Sequence, residues 1–112
     1  MDKLLGALSL CRKAGKLVMG FDPVAESVAK GNAQLVLLAA DLAPGSRKKA
    51  LRFCEGAGLA PRELPFTQQE LLAVTPKRTG VFAVIDTGLA QLVERQLAPA
   101  GPEGGKPLRA EQ

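Results

Sequence analysis

Residues 12–31 read RKAGKLVMGFDPVAESVAKG, and the fold turns on how this stretch changes direction. Gly15 closes a helix, Lys16 to Met19 form a short strand, and Gly20 opens a turn into a second helix with Asp22 as N-cap and Pro23 at its first position. A helix N-terminus presented this way offers free backbone N–H groups and the positive end of the helix dipole, which together favour an anion. Arg12, Lys13 and Lys16 adjoin it in sequence and are expected to reinforce that preference.

Upstream, Asp2 is a natural N-cap, and Leu4, Ala7, Leu8, Cys11 and Ala14 recur as one apolar helical stripe. Downstream, Gly31 stops the second helix, and Gln34 to Ala40, QLVLLAA, reads as a strand covered on both faces. Strand, helix and strand at this spacing predict a βαβ unit with a right-handed crossover, its two strands parallel in one sheet. After a turn over Asp41 to Ser46, a third helix is expected from Arg47 to Ala57, with Ala50, Leu51, Cys54 and Ala57 inward. Arg47, Lys48 and Lys49 would then fill its first turn, where each cation costs about 0.3–1 kcal/mol against the dipole. Either something anionic docks there or the fold tolerates a solvated basic face.

Arg62 to Phe66, between Pro61 and Pro65, suits a short edge strand. Thr67 and Glu70 form a capping box that starts a short helix through Ala73, and TPKRTG at 75–80 makes a turn with two cations. Val81 to Ile85 is a third apolar strand, and Thr87 to Leu97 a final helix with Leu89, Leu92, Val93 and Gln96 as its stripe and flank. From Ala98 the chain is rich in Pro, Gly and charge, so a domain over 1–97 and a disordered tail over 98–112 are expected.

Composition narrows the chemistry. Of 112 residues 46% are hydrophobic but only 4% aromatic, so the core must come from Leu, Val, Ile and Ala, which suits a helix-covered sheet. Histidine is absent, which removes His-dependent triads and most zinc sites, and two lone cysteines cannot hold a structural zinc. No paired-carboxylate constellation or base-flanked nucleophile is present, so no catalytic residue, metal, cofactor or small-molecule substrate is expected. Cys11 and Cys54 read as buried free thiols. No leader pattern or membrane-length apolar run is evident, so a cytoplasmic protein without a membrane partner is expected. The net charge of +4 favours an anionic partner.

With these elements in order, the chain resembles the ribosomal L7Ae/L30e/S12e/Gadd45 family over about residues 2–95, closest to its small bacterial L7Ae-like (YlxQ-like) members. The resemblance rests on KAGKLVMG at 13–20, KG at 30–31, AQLVLLAAD at 33–41, QELL at 69–72 and FAVID at 82–86. It implies an α/β fold, a three-layer α/β/α sandwich on a mixed, mostly four-stranded sheet. It also implies a non-enzymatic, ribosome-associated protein that binds kink-turn or internal-loop RNA. The RNA-binding residues it implies are Lys16, Gly20, Phe21, Asp22, Pro23 and Glu26, then the turn to Arg47, then residues 66–72 with Thr67, Gln68 and Gln69; the basic face adds Lys13 and Lys48. Phe21 would either stack on a base or pack as a staple, and Lys49, Lys77 and Arg78 would add phosphate contacts. Exchanging Lys16 and Arg47 for Glu is expected to abolish binding and leave stability nearly unchanged.

The chain departs from the family's G-x-N-E-x-x-K pattern, with Asp22, Pro23 and Glu26 where Asn, Glu and Lys are usual, and it has Leu72 in place of a loop glycine. Such losses also fit a protein-interaction module of the Gadd45-like kind.

Overall fold

The computed structural model describes residues 2–97, and the expected tail lies outside them. The chain runs α1 (Lys3–Lys13), β1 (Leu17–Met19), α2 (Phe21–Ala29), β2 (Leu35–Leu38), α3 (Pro44–Gly56), β3 (Arg62–Glu63), a 3₁₀ turn (Glu70–Ala73), β4 (Val81–Val84) and α4 (Thr87–Leu97). Asp2 caps α1 through a 2.7 Å bond from the Leu4 N–H. Gly15, at φ 72°, reverses the chain after it into β1.

The strands form one four-stranded sheet in the order β1-β4-β2-β3. β4 is antiparallel to both β1 and β2, pairing Phe82 with Met19 on one side and with Leu37 on the other. The two strands of the expected βαβ unit therefore run parallel in one sheet, but β4 lies between them. β3 pairs parallel with β2 at the edge and is limited to two residues, shorter than the expected Arg62 to Phe66, between flanking prolines.

Side chains alternate across the sheet and sort the core into two layers. Leu35, Leu37, Phe82 and Val84 point to α1 and α4, where they join Leu8, Cys11 and Val93. Val36, Leu38, Val81 and Ala83 point to α2 and α3, meeting Val24, Val28, Ala50 and Cys54. The result is the expected α/β/α sandwich on a mixed sheet.

Two helix starts differ from expectation. α2 begins at Phe21, so Asp22 and Pro23 lie within its first turn and Gly20 is the N-cap, held at φ 104°. α3 begins at Pro44, three residues early, because proline without an N–H suits the first helical position. Arg47 to Lys49 therefore lie in the second turn, where the dipole penalty has largely faded. Ala50 and Cys54 face inward with Phe53 beside them, while Leu51 and Ala57 face solvent, since the register of α3 turns them away from the sheet.

Both cysteines are free and buried. Burial pushes both thiols above their ordinary pKa, and at Cys11 the negative charge of Asp86 adds to it. The folded state therefore keeps its thiol protons at a pH where the unfolded chain has lost them, so stability falls as pH rises above about 8.5. Alkylation monitored by mass spectrometry is expected to find neither thiol modified in the native protein at pH 8, and both modified in urea.

Candidate nucleic-acid interface

Because β4 opposes β1 and β2, the chain leaves β1 and β2 at the same end of the sheet at which it enters β4. β3, parallel to β2, ends there too. Four loops thus converge: Gly20 before α2, 39–43 before α3, 64–69 before the 3₁₀ turn, and 75–80 before β4. The Gly20 N–H donates to the Val81 carbonyl at 2.9 Å, the Ala39 N–H to Gly80 at 2.8 Å, and the Ala40 N–H to Phe66 at 2.8 Å.

The helix starts at this end differ in how they are capped. α1 has Asp2, and Thr67 and Glu70 form the expected capping box, the Thr67 N–H donating to Glu70 Oε1 at 2.9 Å and the Glu70 N–H to Thr67 Oγ1 at 3.2 Å. α2 and α3 carry no side-chain cap. Their first turns, with the N–H groups of Phe21, Asp22, Gly45 and Ser46, leave the sheet end uncapped, and the positive ends of both dipoles lie there.

Beside α2 is a groove of about 320 Å³ lined by Met19, Gly20, Pro23, Pro76, Lys77, Arg78 and Thr79. Gly20 is required at its rim, because φ 104° is unfavourable for any side chain. Gly80 lies beneath the loops: a Cβ there would come within 2.8 Å of Leu42 Cδ1 and 3.2 Å of Gln68 Cδ.

The sequence-predicted residues divide into three sets. Gly20, Asp22, Pro23, Lys48, Thr67, Gln68 and Gln69 belong to the four-loop end or the helices that start from it. Lys48, Lys49 and Lys77 are exposed and, among the described residues, form no ion pair. Glu26 is paired with Lys30 at 3.2 Å, so its negative charge is partly offset by a neighbouring cation.

A second set is occupied with the fold itself. Phe21 meets Phe53 edge to face, ring centroids 5.5 Å apart, within the α2–α3 layer. Packing is therefore its role in this conformation, rather than an open stacking platform. Arg47 donates to the Ala39 carbonyl at 3.3 Å and to Glu63 Oε2 at 3.0 Å, bracing the end of β2 against β3. Arg12 reaches the Val74 carbonyl at 3.4 Å.

Lys13 and Lys16 form the third set. The Lys16 carbonyl accepts from Ile85 at the far end of β4, so it lies one strand length from Gly20, about 13 Å along the chain at 3.3 Å per residue. Adjacency in sequence does not bring these lysines to the four-loop end. Sequence reading also misses Asp41, whose role depends on loops brought together only by the fold.

The sequence matches the model of the family described as Ribosomal protein L7Ae/L30e/S12e/Gadd45 over residues 2–66. None of the curated proteins matches it. Among solved structures, a Bacillus halodurans protein of unknown function is 27% identical, with a TM-score of 0.78 over 86% of this chain and 97% of that one. A 15.5 kD RNA-binding protein of Giardia lamblia shares the fold at 23% identity, with a TM-score of 0.67 over 86% of each chain.

The brace at Arg47 runs against the expectation that replacing Lys16 and Arg47 together leaves stability nearly unchanged. Arg47→Glu sets two carboxylates against each other and removes the donor to Ala39, so urea unfolding is expected to show a loss of about 1–2 kcal/mol. Lys48→Glu, one residue on and solvated, is expected to stay within about 0.5 kcal/mol of the parent.

Proposed function

The chain belongs to the ribosomal protein L7Ae/L30e/S12e/Gadd45 family, and from that premise we propose that it binds structured RNA at the four-loop end of its sheet, without catalysis. The observation that carries the reading is the pair of uncapped helix starts, α2 and α3, at one sheet end beside exposed lysines. Backbone N–H groups and helix dipoles held by a rigid sheet recognise phosphate at fixed positions, so they favour an RNA whose backbone is bent to match them. Lys48, Lys49 and Lys77 add attraction that depends on salt but little on RNA shape. The groove, with Met19, Pro23 and Pro76 as apolar walls and Lys77 and Arg78 as basic ones, suits a segment projecting from an internal loop rather than a regular duplex.

A kink-turn or related internal loop is the RNA class proposed, with association with the ribosome in the cytoplasm as its setting. Asp22, in the first turn of α2, accepts hydrogen bonds but has no amide to donate, and Pro23 adds no polar group. Most of the recognition therefore falls to backbone groups and to the neighbouring loops.

Titration against a kink-turn RNA, an unkinked duplex of equal length and total ribosomal RNA, at two salt concentrations, tests this reading. A preference for the kink-turn that survives the higher salt is expected. Lys48→Glu and Lys77→Glu are each expected to weaken binding to all three RNAs and to lower the salt slope by roughly one. Equal, salt-labile binding to the three RNAs would overturn shape recognition, and partner capture that survives RNase would favour a protein-interaction module instead.

A further inference from the structure

One carboxylate ties together three of the four converging loops. Asp41, just after β2, accepts from the Gln68 N–H through Oδ1 at 2.9 Å, and its Oδ2 lies 3.7 Å from an Arg78 terminal nitrogen. The other terminal nitrogen of Arg78 donates to Gln69 Oε1 at 3.2 Å. Arg78 also lines the groove beside Gly20 and Pro23. The guanidinium is thus held by a carboxylate and an amide that both belong to the protein, at the place where the proposed RNA would present phosphate.

We propose that Asp41 is a specificity-determining residue for RNA: it positions Arg78 and withholds its charge from any backbone that does not reach the groove in the matching shape. The inference rests on the proposed RNA-binding function and deepens it. A phosphate delivered into the groove replaces Asp41 on the fork of Arg78, bidentate where the carboxylate makes one long contact. A regular duplex, which cannot enter, meets a cation whose attraction Asp41 partly offsets. The Asp41 and Arg78 side chains are 36% and 55% exposed, so the pair is weak enough to be exchanged.

Asp41→Asn separates this role from a structural one, since an amide oxygen still accepts from Gln68 while the charge on Arg78 is released. The kink-turn preference over duplex is expected to fall about two- to fivefold, mainly through tighter duplex binding. The same substitution in an Arg78→Ala background is expected to leave the preference unchanged, because the residue it acts through is gone. Without RNA, trypsin is expected to cleave after Arg78 faster in Asp41→Asn than in the parent.

An equal fall in preference in the Arg78→Ala background would show a general charge effect and overturn the proposal. So would unchanged tryptic cleavage, even if the RNA preference were present. A parent protein that binds neither RNA would overturn this proposal together with the function it rests on, and the cleavage rates would still show whether Asp41 holds Arg78.

Discussion

Two consecutive carbonyls at the start of β4 hold the four-loop end of the sheet together. Gly80 accepts from Ala39 and Val81 from Gly20, so adjacent residues of one strand fix both turns that lead into α2 and α3. Successive carbonyls of a strand point to opposite sides, and only a strand lying between β1 and β2 can make both bonds. With β4 there, the two helix starts have a fixed separation, and the side chains of Leu42 and Gln68 close over Gly80, where a Cβ would have to displace them.

The elements themselves were largely legible in the sequence. Continuous apolar runs at LVLL and VFAV correspond to the two central strands, buried along their whole length, and the prolines at 61 and 65 correspond to an edge. The order of the strands was less accessible, because periodicity reports which faces are covered and says nothing of which neighbour covers them. The helix starts were misplaced for a local reason. For α2 the capping preference for Asp pointed to Asp22, whereas the N-cap is Gly20; for α3 the Pro44-Gly45 pair read as a turn, whereas Pro44 is the first helical residue after Ala43.

The site was legible in part. Gly20 and the Thr67–Glu70 box carry recognisable backbone chemistry and stand where the sequence indicates. Charged residues were harder to assign, because a cation's role depends on what it faces. Arg47 and Lys48 are neighbours in one basic run, yet Arg47 turns back to Ala39 and Glu63 while Lys48 faces water. Lys16 is four residues from Gly20, but the intervening strand carries it to the opposite end of the sheet. The ion pair between Asp41 and Arg78 spans 37 residues of sequence and could be seen only in the folded chain.

The central position of β4 also bears on how the protein is made. β1 and β2 leave the ribosome early, yet the strand that pairs with both is the last of the four to be synthesised. At about 5–20 residues per second, the segment from Leu38 to Val84 takes seconds to emerge, and during that time neither turn has its acceptor. β2 has β3 as a partner made before then, but β1 has no strand to pair with until β4 appears, because long-range pairing cannot precede the residues that make it. The four-loop end is therefore completed late in synthesis, and a nascent chain exposes it as a surface only once the sheet has closed.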